Sequence, residues 1–78
     1  MGLFNSLANY PRHQAAVTPS DNGLPHPGII ECLTAGNLVC KDADGTSITR
    51  AMGVGDICPV YVTHVMGAST GTYCVLWD

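Results

Sequence analysis

The sequence predicts an all-β protein: a small antiparallel sandwich or partly open barrel of about five strands, with an extended N-terminal arm. Three observations lead there. Short runs rich in β-branched and aromatic residues recur between Ile29 and Trp77, and clusters of Gly, Asp, Asn and Ser separate them at the spacing of small β domains. The first 26 residues, by contrast, hold neither a helical nor a strand period for long.

Leu3, Phe4, Leu7 and Tyr10 are spaced as one amphipathic turn, which Pro11 ends because proline cannot continue a helix. Ala15 to Gly28 is dense in Pro, Gly, Asn and Ser and reads as extended chain. Residues 1–27 are therefore expected to be an arm and linker, and residues 28–78 a β domain. Within the domain, Ile29 to Leu33 is the first strand and Ala35-Gly36 its turn. Asn37 to Lys41 and Thr46 to Ala51 form a hairpin around Asp42-Ala43-Asp44-Gly45, where short acidic side chains suit a tight turn and Gly45 accepts positive φ. Met52 to Asp56 is a loop. Ile57-Cys58-Pro59 then leads into a closing hairpin, Val60 to Val65 and Thr72 to Trp77, across Gly67-Ala68-Ser69-Thr70-Gly71. Pro59 lacks a donor and belongs at a strand start or an edge. Meander wiring is the simplest connection of these strands.

The closing pair draws attention because neither of its strands shows a polar face. Val60 and Val62 alternate with Tyr61, and Tyr73, Val75 and Trp77 alternate with Cys74 and Leu76. A strand wetted on one side should alternate apolar with polar, so a strand apolar on both sides needs two covers. Seventy-eight residues make one small domain with a limited core. Only 12% of them are charged, which is sparse for a lone soluble domain and implies that a partner shelters part of the surface. Tyr61, Val62, Val65, Tyr73, Val75 and Trp77 are the residues expected at such an interface, joined by Leu3, Phe4 and Tyr10 of the arm.

Other classes find little support. Arg12, Lys41 and Arg50 are the only Lys or Arg residues and the formal net charge is -3; gripping a phosphate backbone needs several such contacts, so no nucleic-acid partner is expected. No run approaches the roughly 18 apolar residues of a membrane span. Cys32, Cys40, Cys58 and Cys74 lack the close pairs of a zinc knuckle and read as core thiols, with disulfides the alternative, so no metal or other cofactor is expected. Asp42-Ala43-Asp44-Gly45 lacks the ligand series and closing Glu of a calcium loop. Gly53 and Gly55 lack the lysine and helix of a phosphate cradle. His64 has no nucleophile motif beside it, and His13 and His26 read as loop residues of the arm. No catalytic residue is assigned, and an enzyme is not expected.

The order of motifs resembles a known group. Ala15-Ala16-Val17-Thr18-Pro19-Ser20-Asp21 is followed by Thr34-Ala35-Gly36-Asn37-Leu38-Val39, Asp44-Gly45-Thr46, Gly53-Val54-Gly55-Asp56-Ile57-Cys58-Pro59-Val60, Thr63-His64-Val65 and Ala68-Ser69-Thr70-Gly71-Thr72-Tyr73-Cys74-Val75-Leu76-Trp77. Over residues 15 to 77 this is similar to the small head proteins of tailed bacteriophages and gene transfer agents, in particular the head-spike base proteins. The chain departs from that pattern at Cys58-Pro59 and Thr63-His64 and in its richness in Cys. The resemblance implies a structural virion protein, made in the bacterial host cytoplasm and placed on the capsid exterior. There it would be a homo-oligomer, trimer or pentamer, acting as a cement or decoration protein that braces the major capsid protein. Two alternatives accompany this expectation: a head-spike or fibre base at capsid vertices, contacting a spike or fibre protein, and a carbohydrate or host-surface binding module in which Tyr61, Tyr73 and Trp77 stack on sugars.

Overall fold

The structure is a computed structural model, and it describes residues 11–78. Leu3, Phe4 and Tyr10 lie outside the described residues. Six strands follow one another: β1 (His13–Val17), β2 (Gly28–Thr34), β3 (Gly36–Asp42), β4 (Ser47–Met52), β5 (Ile57–Val65) and β6 (Thr72–Trp77). They form one antiparallel sheet in the order β1-β6-β2-β5-β3-β4. The all-β architecture expected from the sequence is present, with one strand more than expected. The additional strand, β1, comes from the stretch read as an arm. Its sequence, His-Gln-Ala-Ala-Val, has only one β-branched residue, at its end. It becomes a strand because the rim of β6 offers it a ladder, from His13 opposite Trp77 to Val17 opposite Tyr73.

The meander expectation is corrected. β5 and β6 are not partners, since β2 lies between them, and Ala35 joins two strands without reversing the chain. The reason is visible in the register. Ile29 pairs with Leu76 and Cys32 with Tyr73, while farther along Cys40 pairs with Val65 and Lys41 with His64 in that same register. The gap between the two ladders is filled by the β5–β6 connector. Thr70 N–H donates to the Asn37 carbonyl at 2.9 Å and Met66 N–H to the Val39 carbonyl at 2.7 Å. Side chains complete the pattern: Asn37 N–H donates to Thr70 Oγ1 at 2.9 Å and Val39 N–H to Ser69 Oγ at 2.9 Å, and Ser69 Oγ donates to the Val39 carbonyl at 3.1 Å. Residues from β2 through β3 are therefore one long bent strand, paired along its length with the chain from β6 back through the connector to β5.

That long strand curls until both its ends meet the same residue. Val62 pairs with Gly28 at one end and with Asp42 at the other. The curl encloses the core, in which Ile30, Cys32, Leu38, Cys40, Cys58, Val62, Val65, Tyr73 and Val75 are buried. Two close approaches require glycine. A Cβ on Gly28 would strike the Leu76 carbonyl, and one on Gly36 would strike the Thr70 carbonyl. Tyr73 is buried yet satisfied, its hydroxyl donating to the Thr70 carbonyl.

A bulge on β5 decides which of its residues face inward. One extra residue, Thr63, stands between the pairings of Asp42 with Val62 and of Lys41 with His64. Its Oγ1 lies 3.3 and 3.2 Å from the Lys41 and Asp42 carbonyls, and 2.8 Å from His64 Nδ1. Without it, Val62 and Val65 would point to opposite faces by the two-residue period of a strand. With it, both enter the core. A second irregularity lies between Cys32 and Thr34 and leaves Leu33 exposed, with Thr72 N–H donating to Thr34 Oγ1 at 2.9 Å just beyond it.

Residues 18–27 cross from the edge strand to β2 along β5. Ser20 N–H donates to the Val65 carbonyl at 3.0 Å, Leu24 N–H to the Thr63 carbonyl at 2.9 Å, and Gly67 N–H to Asp21 Oδ1 at 3.1 Å. Val17 and Leu24 pack on the core from this side. The β3–β4 turn follows the expected chemistry: Asp42 Oδ1 accepts from Asp44 N–H at 2.9 Å and Thr46 N–H at 3.0 Å, and Gly45 takes φ 81°.

Two outcomes test this account of the closure. Ser69→Ala removes both the acceptor for Val39 N–H and a donor to its carbonyl, and is expected to lower stability by about 1–3 kcal/mol, read by urea unfolding of purified chain. Gly28→Val, which forces apart β2 and β6, is expected to cost at least as much by overpacking, about 1–3 kcal/mol or more; an unchanged unfolding midpoint would show that the two strands are not held this closely.

Candidate interaction surface

The residues expected at an interface separate into two groups once the curl is seen. Val62, Val65, Tyr73 and Val75 are at most 4% exposed and belong to the chain's own core. Their placement on a partner-facing surface is corrected. A face apolar in sequence finds its second cover in the same chain, because the sheet folds over itself and the bulge turns Val65 inward. Tyr61 is the exposed member, at 53%, and Trp77 is half-buried at the end of β6.

Tyr61 and Trp77 border one groove of about 560 Å³, whose walls include Pro25, Pro27, Ile29 and Leu76. The edge and crossing segments bring the prolines there: Pro25 and Pro27 come from the crossing that precedes β2, and Pro11 from the residues before β1. The walls are mostly hydrocarbon. At the rim Arg12 Nε lies 3.4 Å from Asp78 Oδ1, with both side chains well exposed, a pair worth at most about 1 kcal/mol in water.

Trp77 is not an open platform. The His26 ring stacks on it with centroids 4.4 Å apart and planes 6° from parallel, and the His13 ring lies at 5.5 Å and 23°. Both histidines are themselves exposed and sit where β1 and the crossing segment come alongside β6. A sugar binding on Trp77 would have to displace an imidazole already in stacking contact. Tyr73 is buried in the core. Of the three aromatics that a carbohydrate module would use, only Tyr61 is left exposed. The stack was not legible in the sequence, where His13 and His26 are far from Trp77 and read as loop residues; the pairing of β1 with β6 brings in His13, and the crossing segment brings in His26.

The four cysteines are all buried and free. Burial away from water pushes the Cys40 thiol up to about 11, helped by the neighbouring Cys58. Burial likewise pushes Cys74 to about 11, with Glu31 close by; Cys74 Sγ lies 3.5 Å from Glu31 Oε1. Cys32 is also raised, first by burial and then by the charge of Asp56. These are neutral, weakly nucleophilic thiols, since the thiolate is the reactive form. His64 holds the bulge with Thr63.

Comparison with known proteins gives one informative likeness. No family model matches the chain, and no curated protein matches it. Among solved structures, it is similar to a chain of the "Capsid of native GTA particle computed with C5 symmetry", GTA being a gene transfer agent, with a TM-score of 0.79 and 25% sequence identity. The likeness covers 97% of this chain and 99% of that one.

Two predictions follow from this surface. His26→Ala uncovers Trp77, the sole tryptophan, and is expected to shift its fluorescence emission to the red while costing about 0.5–1.5 kcal/mol of stability, the range of an aromatic stacking contact. For pH, the raised thiols set the sign: an unfolded cysteine ionises near 8.5–9, whereas folded Cys40 and Cys74 do so at about 11. Their contribution is full below pH about 8.5 and is lost as pH rises towards about 11. The thermal midpoint under reducing conditions should fall across that window, and a serine at Cys40 and Cys74 should flatten the fall.

Proposed function

We propose that this chain is a structural, non-catalytic protein of a phage-like or gene-transfer-agent capsid, acting on the outer surface as a homo-oligomeric cement or decoration protein. The observation that carries this reading is the near end-to-end likeness to a capsid-particle chain. Agreement over 97% of this chain and 99% of that one supports a correspondence of the entire fold rather than of a shared segment. The sparse charge and the apolar groove beside Tyr61 support an assembly role, since such surface is best used against other protein. Self-association is supported by the smallness of the core, which in a domain this size is commonly supplemented by subunit contacts.

Within this reading the Tyr61 groove faces the major capsid protein. The expectation for Leu3, Phe4 and Tyr10 belongs to the same contact, which they would extend. A spike or fibre base at capsid vertices is the related role, and the position of the protein on the particle separates the two: bracing sites between capsomers for cement, five-fold vertices for a base. The carbohydrate module is set aside because Trp77 is already stacked and Tyr73 buried.

The test is to mix purified chain with capsid particles assembled without it, then sediment and image them. Bound density on the outer surface at repeating positions is expected. Particles that sediment without the chain, or that carry it inside, would overturn the proposal. Tyr61→Asp is expected to weaken particle binding at least tenfold while leaving the chain folded, because it sets an unpaired charge into an apolar contact; Val62→Asp should instead unfold the chain, as its side chain is 0% exposed in the core.

A further inference from the structure

Among the described residues, the sheet ends in two strands that have a neighbour on one side only, β1 and β4. The direction of their unused hydrogen-bonding groups can be read from β3. Asn37 and Val39 turn their backbone N–H and C=O towards the β5–β6 connector, so the alternate residues Leu38 and Cys40 turn theirs towards Arg50 and Ile48 of β4. On β4 the N–H and C=O groups of Ser47, Thr49 and Ala51 therefore point outward from the sheet, and all three residues are exposed. Native sheets usually blunt such an edge with proline, lysine or a bulge. β4 has no proline, lysine or bulge and a single charged residue, Arg50, and its six pairings with β3 run without a break. β1 is equally plain: its five pairings with β6 are unbroken, and Gln14, Ala15 and Ala16 are small or neutral and exposed.

The core-side face of β4 is also unfinished. Ile48 stands opposite Cys40 yet is 48% exposed. Arg50 stands opposite Leu38, with its Nε buried and without a partner among the described residues. One further strand beside β4 would cover Ile48.

We propose that a second copy of this chain supplies that strand: β4 of one copy pairs with β1 of the next, the sheet continues across the boundary, and head-to-tail repetition closes a ring. This rests on the homo-oligomeric capsid reading above and names its subunit contact. The two edges match in length, five residues against six, and in the small side chains that let backbones approach. A two-fold contact of β4 with another β4 fits less well, because it would place two Arg50 side chains on one face and leave β1 unused. A heterologous contact instead uses both edges in every copy and closes by rotation.

The test follows the outward amides of the full-length chain. On assembly, measured by analytical ultracentrifugation, the Thr49 and Ala51 amides should exchange with deuterium at least tenfold more slowly than in the dissociated chain. Ala51→Pro deletes an N–H that bonds nothing among the described residues, so it should keep the far-ultraviolet circular dichroism while raising at least tenfold the concentration needed for assembly. Tyr61→Asp should leave assembly unchanged. If the chain assembles and binds particles with those two amides exchanging as fast as before, the edge contact is wrong and the capsid reading stands; if it neither assembles nor binds particles, both fall. Should Ala51→Pro not fold, the exchange of the unaltered chain decides alone.

Discussion

Closure of one bent strand on one residue is the constraint from which the rest of this structure derives. Val62 is paired with both Gly28 and Asp42, so the segment between them must travel around the core and return. A six-stranded sheet left flat would bury neither face of its middle strands. Curled through this circuit, it buries side chains such as Ile30, Leu38 and Val62 to complete exclusion of water. The hydrophobic gain of that enclosure is what a chain this small has available to set against its conformational entropy.

The circuit depends on polar detail at its weakest point. Between the ladders of β2 with β6 and of β3 with β5, regular pairing is interrupted by the connector, and hydroxyl groups take over the hydrogen bonds. Ser69 serves both backbone groups of Val39, and Thr70 serves both of Asn37, donating its backbone N–H to the Asn37 carbonyl and accepting the Asn37 N–H at Oγ1. The Thr63 bulge does similar work on β5, where a single inserted residue reverses the facing of Val65. Apolar burial drives the enclosure, and these few side chains decide its register. What is left over at the surface is equally determined: an apolar groove beside Tyr61 and Trp77, and two plain sheet edges. These are surfaces suited to contact with protein.

Much was legible from residue order alone. The β class, the turn at Asp42 to Gly45, the burial of the cysteines and the need for cover on Val62, Val65, Tyr73 and Val75 all follow from local composition and alternation. β1 was not legible, because Ala15 and Ala16 carry no strand preference and gain their conformation from the rim of β6. Nor was the Trp77 stack with His13 and His26, whose partners lie at opposite ends of the chain. The partner strand of β6 was misread for the related reason that nearness in sequence favours a hairpin, whereas the connector here is itself recruited into pairing.

What residue order determined by itself is the inventory: how much side-chain surface must leave water, where the chain turns, and how little charge remains to keep it in solution. Tertiary structure alone decided who provides the shelter, and for most of those residues it is the same chain. The physical reason is that facing and pairing in a sheet are non-local. One inserted residue inverts a strand's faces, and a ladder between residues far apart is chosen by the fit of whole strands, which no short window of sequence contains.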